Sequence, residues 1–225
     1  MKDRIKIDTT ILVAMIGFTV VLYKFPDLYP RDRSFDNMMD FFGALCLLKG
    51  VFIRMIARGY KKANSSKGKA LVCNGIYTLT RNPMYLGSFY IGSGFVLILW
   101  PWWAIFIFAL LFYLRFRIQV AKEEKFLTEM FGQEYKTYCQ KVPRVFPSLA
   151  VLSQTKTKDI FNMQEALSTK EKYGLIGWPL LAVLFETAQE NILYYGSDIV
   201  LTVKTFLAAF AFFAVATWIK LKIRE

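Results

Sequence analysis

The sequence predicts an all-α, polytopic membrane protein with about five to six spans, and three observations carry that expectation. Apolar residues make up 55% of the 225-residue chain and aromatic residues 17%, whereas ordinary soluble domains hold about 45–50% apolar residues. These residues gather in runs of helical length, and the mean hydropathy is +0.34. The 29 Lys and Arg residues fall mostly between the runs, which is how membrane proteins distribute cations.

The first run covers residues 9–25 and follows the charged opening "MKDRIK". That order resembles a signal peptide, but no small-residue cleavage site follows, so a retained first span is expected. The second run, 37–57, carries Asp40, Lys49 and Arg54. Charges near its ends can snorkel to the interface, whereas Lys49 is expected to face protein or a watery groove. Runs 85–99 and 102–116 are split only by "WPWW". A proline ringed by tryptophans predicts a tight helical hairpin that turns at the bilayer interface.

Beyond the hairpin, Phe126, Leu127 and Met130 lie at helical spacing before a break at Gly132. Tyr135 and Tyr138 then share one face of a short second helix, which Pro143 stops. This segment predicts a small cytosolic helical cap over a pocket. Residues 148–174 are polar and irregular and predict a linker. Of the C-terminal runs, 175–185 is marginal for a span and 199–219 is long enough to cross. The expected organisation is a core at 1–147, with its motifs at 71–147, then the linker and the membrane helices of 175–225.

Cation placement orients the spans. Lys2, Arg4 and Lys6, the basic stretch from Arg58 to Arg81, the stretch from Lys122 to Arg144, and Lys220, Lys222 and Arg224 all fall on one side. The opposite loops hold Lys24, Arg31 and Arg33, the "WPWW" turn and the cation-free "ETAQENILYYGSD". The positive-inside rule puts both termini and both large basic segments in the cytoplasm. A multi-pass position in a bacterial inner membrane is expected.

Composition also excludes functions. The net charge is +12, but no basic, aromatic-dotted segment stands apart from the membrane flanks, which argues against a nucleic-acid partner. Cys46, Cys73 and Cys139 form no CxxC spacing and histidine is absent. A disulfide framework, a metal site and histidine-based catalysis are therefore not expected.

Three stretches carry candidate chemistry. In "RNPMYLG", Pro83 pre-sets a helix start and Asn82 stands at the N-cap position. Such an end aims free N–H groups and the positive end of the helix dipole at the cytoplasm, where they suit anions. A capped start also needs no ligand, and Tyr77 and Tyr85 would serve equally as interface aromatics. The pair Glu123–Glu124 sits among Arg115, Arg117, Lys122 and Lys125, as a salt-laced helix start would. Antiparallel hairpin helices nevertheless return Asn82 and Tyr85 to the membrane face that holds Arg117 and Glu123. In "GSFYIGSGF", Ser88, Gly92 and Gly94 suit close helix packing in a membrane.

The order of Gly75–Tyr77, Arg81–Tyr85, Gly87, a hairpin, Glu123–Leu127, Phe131–Tyr138 and Val142–Arg144 resembles the integral-membrane methyltransferases. That group includes the isoprenylcysteine carboxyl methyltransferases and the related phospholipid N-methyltransferases. The resemblance covers about residues 71–147 and implies a cytoplasm-facing pocket for S-adenosylmethionine, with a lipophilic substrate entering from the bilayer lipids. By similarity Leu71, Val72 and the Tyr77 ring would help hold the cofactor, Asn82, Pro83, Met84 and Tyr85 would wrap it, and Glu123 would bind it. For a hydroxyl or ammonium acceptor the candidate base is Glu124 or a tyrosine; the other role open to Glu124 is to orient the loop. The sequence departs from the prenylcysteine enzymes at Asn82, where they usually carry histidine. It also has Gln119 where they place an arginine that meets the substrate carboxylate; Arg117 or Arg115 is the candidate substitute. Two other functions keep the same motifs in play: an NADPH-dependent reductase like the membrane sterol reductases, and a non-catalytic lipid-binding scaffold.

Overall fold

The computed structural model describes residues 33–147 and 160–194, with isolated positions at 17, 21, 25, 200 and 204. The expected spans 9–25 and 199–219 lie outside the described residues apart from those single positions. The described residues form helices and turns and no strand, as an all-α fold requires. The helices are α1 (Arg33–Asn64), α2 (Pro83–Leu99), α3 (Ala104–Lys141), α4 (Met163–Leu167) and α5 (Gly174–Tyr194), with 3-10 turns at Ser66–Gly68, Gly75–Thr78 and Lys170–Tyr173. Among the described residues, α3 alone is long and apolar enough to cross a membrane, and α2 is a shorter apolar helix. The helices α1 and α5 fall short of that measure, so length and apolarity do not by themselves give the expected five to six spans.

Small residues set the packing of α1 on α2. A Cβ on Gly50 would lie 2.5 Å from the Gly87 carbonyl oxygen, and one on Gly94 would lie 2.6 Å from the Gly43 carbonyl oxygen. The pairs Gly43 with Gly94 and Gly50 with Gly87 run in opposite chain directions, so the helices are antiparallel and their backbones nearly touch. Close approach of this kind needs small residues on both helices. Leu47, Val51, Met55, Ile91 and Ile98 fill the remaining seam. The packing expected of "GSFYIGSGF" is thus divided between two partners. Gly87 and Gly94 face α1, whereas Gly92 receives the Phe108 ring of α3.

An aromatic ladder pairs α2 with α3. Phe89 meets Phe112 with ring centroids 5.3 Å apart, and Tyr85 meets Phe116 at 4.9 Å. Pro101 and the flanking tryptophans form the turn, as the sequence predicts. The helix α3 then continues without interruption well beyond the apolar run 102–116. Its axis breaks at Gly132, which adopts φ 54° and ψ −122°, a conformation glycine takes without the steric cost of a Cβ. The short stretch to Lys141 carries Tyr135 and Tyr138 inward, and both are buried.

Residues 160–173 differ from the expected linker. Asn162 Oδ1 accepts from the N–H groups of Gln164 at 3.0 Å and Glu165 at 3.4 Å, which starts α4. The buried Ala166 of α4 packs in the same core as Leu47 and Val51 of α1. Gly59 admits this contact, since a Cβ there would lie 2.3 Å from the Glu165 carbonyl oxygen. Arg54 of α1 then grips Glu171 through two donors, Nε at 3.0 Å and Nη2 at 3.1 Å, and donates to Ser88 Oγ of α2 at 2.6 Å. From there α5 lays Trp178 edge-on to Phe95 at 5.9 Å. Lys49, expected to find protein or water, lies with Nζ 4.4 Å from the Tyr90 ring centroid, a cation–π contact.

Gly50→Ala should force α1 away from α2 and lower stability by about 1–3 kcal/mol, the usual cost of overpacking. Gly177→Ala, with nothing within 4 Å of the added Cβ, should cause no loss. Thermal unfolding of both variants in detergent checks the contrast.

Candidate cofactor-binding site

The polar groups of the motifs meet at the open end of the hairpin, away from "WPWW". Because the Tyr85 ring packs at a tilt against Phe116, its hydroxyl reaches two turns further along the same face of α3. There it donates to Glu123 Oε1 at 2.6 Å. Gln119 Nε2, one turn before Glu123, donates to the same oxygen at 2.7 Å. Tyr85 and Glu123, predicted from motifs 38 residues apart, therefore share one hydrogen bond.

Glu124 points to a second place. Its Oε1 lies 3.0 Å from Arg81 Nη1, and its Oε2 accepts from Arg144 Nη2 at 2.6 Å. Neither partner is among the neighbouring cations the sequence suggests. Nor do the two glutamates begin a helix: both stand in the middle of α3. The Arg81 and Glu124 side chains keep only 15% and 19% of their exposure, so solvent screens this contact less than a surface pair. Arg144 thus donates to one oxygen of Glu124, while the Arg81 guanidinium lies beside the other and donates to Cys139 Sγ at 2.7 Å.

This ion network belongs to a seam between the start of α2 and the tail after α3. Arg81 N–H donates to the Pro143 carbonyl at 2.9 Å. The Arg144 carbonyl accepts from Asn82 Nδ2 at 2.9 Å and from Thr80 Oγ1 at 3.4 Å. Asn82 does occupy the N-cap position of α2, but its side chain makes no capping hydrogen bond. The amide serves the seam instead, since Pro83 at the first helical position already removes one of the N–H groups a cap would satisfy. Beyond the seam, Phe146 meets Phe89 edge-on at 5.7 Å.

The remaining predicted residues lie deeper. Tyr77 is only 8% exposed and packs with Ala57 and Ile76, against which Val72 and Met84 also rest. Its hydroxyl donates to the Ala57 carbonyl at 3.3 Å, and its own carbonyl accepts from Tyr138 Oη at 2.7 Å. The Tyr77 ring is therefore committed to the core beneath the site. Burial pushes both phenols far above the ordinary tyrosine range; Arg58 opposes this at Tyr77, and Cys73, Tyr77 and Tyr135 add to it at Tyr138. Both remain neutral donors. Gly75 opens this turn at φ 62°, and a Cβ there would also strike the Tyr60 ring at 2.5 Å. Leu71 is half-buried just before it, and Pro83 is fully buried.

Arg117 is not brought to Glu123. It is exposed and shares the outward face of α3 with Leu114, Ile118 and Lys122, about half a helical turn from the face of Gln119 and Glu123. Arg115, the other candidate, has its guanidinium 5.7 Å from the Phe116 ring centroid. Gln119, regarded in the sequence only as a departure, is the residue that touches Glu123. Arg81, Arg144 and Thr80 were also passed over. The signal for the two arginines was present, because each belongs to a motif piece that lies within reach of Glu124 once the hairpin closes. No cluster of metal-ligating side chains occurs among the described residues.

Residues 39–134 match the phospholipid methyltransferase family. The match takes in most of α1, α2 and α3 as far as the Gly132 break, whereas the motif resemblance spans 71–147. The chain is also similar to the protein-S-isoprenylcysteine O-methyltransferase of Saccharomyces cerevisiae, 31% identical over 138 residues that cover 57% of this chain and 58% of the relative. The Schizosaccharomyces pombe protein of that name is 31% identical over 113 residues, 47% of each chain. That of Dictyostelium discoideum is 28% identical over 147 residues, 62% of this chain and 60% of the relative. The chain thus spans about half to three fifths of the length of these curated relatives. No solved structure matches it.

Tyr138→Phe removes the donor to the Tyr77 carbonyl and should cost about 1 kcal/mol of stability. The folded-state tyrosine pKa values are raised, so their contribution is fully present below the unfolded value of about 10 and fades as pH rises beyond it. Unfolding followed from pH 8 to pH 11 should show a shallower alkaline loss in the variant than in the parent.

Proposed function

We propose that this chain is an S-adenosylmethionine-dependent methyltransferase acting on a lipophilic acceptor that partitions into the membrane, with a prenylcysteine-type carboxylate as the leading substrate class. The observation that carries the proposal is the convergence of Tyr85 and Gln119 on one oxygen of Glu123. A partly buried carboxylate, an aromatic ring and a helix start of fixed conformation come together there. The names of the curated relatives supply the acceptor class.

The donor set fits the cofactor's chemistry. A carboxylate suits the ammonium or the ribose hydroxyls, aromatic faces suit a sulfonium, and a helix N-terminus suits a carboxylate. Glu123, Tyr85 and the residues from Asn82 to Met84 would hold it, and when bound it supplies an electrophilic methyl group. Tyr85 and Gln119 fix the Glu123 carboxylate. The Arg81–Glu124–Arg144 network and the Asn82 amide close the tail over the start of α2 and limit water at the edge of the site. A carboxylate acceptor needs no base, which suits a chain without histidine and a Glu124 held by two arginines.

In this reading the open end of the hairpin faces the cytoplasm, where Lys122, Lys125 and Arg144 lie. The chain crosses the membrane several times with both termini inside, in a bacterial inner membrane. The cofactor arrives from the cytoplasm and the acceptor arrives sideways from the lipid. Residues 33–147 form the methyl-transfer unit, and 160–194 brace it.

Calorimetry of the full chain in detergent tests the reading. S-adenosylhomocysteine should bind. Glu123→Gln should weaken it by about tenfold to a hundredfold, the effect of losing a charged hydrogen-bond partner, while folded yield stays near that of the parent. Unchanged affinity would remove Glu123 from the site. Binding of NADPH alone would favour the reductase, and binding of neither would favour the scaffold.

A further inference from the structure

The outward face of α3 carries a groove of about 560 Å³ lined by Leu114, Arg117, Ile118, Ala121, Lys122 and Lys125. We propose that it holds an anionic phospholipid of the surrounding bilayer, as a bound neighbour rather than as the methyl acceptor. The charge on this face is uncompensated. Glu123 turns to Tyr85, and Glu124 turns to Arg81 and Arg144. Arg117 and Lys122 have no acidic partner among the described residues. Lys125 reaches only Glu129, at 3.9 Å, with both side chains well exposed, a contact of little strength.

Dimensions favour a lipid over a soluble anion. The apolar side of the groove continues down the same helix as exposed Leu111, Leu110 and Ile107. From Ile107 to Ile118 the helix rises about 16 Å at 1.5 Å per residue, an unbroken apolar stripe along which an acyl chain can lie. The cations begin where that stripe ends. An acyl chain laid on the stripe brings its phosphate level with Arg117, Lys122 and Lys125, where anionic headgroups meet basic residues. A free phosphate would leave the apolar half of the groove unused.

The site rests on the membrane placement proposed above and not on methyl transfer. Its test uses no cofactor, so either proposal can fail alone. The full chain is reconstituted in nanodiscs of phosphatidylcholine with phosphatidylglycerol as the minor component, extracted gently, and its retained lipids are identified by native mass spectrometry. The parent should retain phosphatidylglycerol over phosphatidylcholine by about tenfold or more relative to their supply. Arg117→Gln/Lys122→Gln/Lys125→Gln should abolish that preference. Lys61→Gln/Lys136→Gln/Lys141→Gln, which removes the same charge from other exposed positions, should keep it. A parent without preference, a groove variant that retains it, or a control that loses it equally would overturn the proposal.

Discussion

The antiparallel register of α2 against α3 determines where every polar group of the site falls. It is set by ring contacts that recur along both helices, Phe89 with Phe112 and Tyr85 with Phe116, and by the Phe108 ring that fills the space above Gly92. Each contact is modest, worth about 1 kcal/mol beyond the area it buries. Together they hold the two helices in this alignment. A slip of one residue on α3 would turn Glu123 about 100° away from Tyr85 and present a neighbouring face instead.

The register also explains why two adjacent glutamates differ so much. Consecutive residues on a helix point about 100° apart, so Glu123 meets α2 while Glu124 meets the tail that folds back after Gly132. The first stands beside a phenol and an amide, the second between two guanidinium groups. One carboxylate accepts from a phenol and a side-chain amide. The other sits in an ion cluster that ties three chain segments together.

Much of this was legible in the sequence, and the reasons are local. "WPWW" marked the turn, Pro83 fixed a helix start, Gly132 interrupted α3, and hairpin geometry alone brought Tyr85 near Glu123. Other parts were illegible because they depend on rotation about a helix axis or on distant partners. Arg117 and Gln119 are two residues apart, and only the packed helix shows which one faces inward. The role of Asn82 depended on the Arg144 carbonyl, 62 residues away. Residues 160–173 looked like a linker because they dock through a capped turn, one buried alanine and an ion pair, none of which leaves an apolar period.

The grip of Arg54 on Glu171 has a consequence for how the chain could have been assembled. The guanidinium lies inside the segment that matches the methyltransferase family, at 39–134, whereas its acid lies well beyond it. With side-chain exposures of 27% and 21%, neither charge is fully hydrated, and a partner removed from such a setting leaves the other poorly solvated. The region after 160 therefore cannot be exchanged as a neutral module. Any replacement tail must bring its own anion to the same point on α1, or α1 must give up its arginine at the same step.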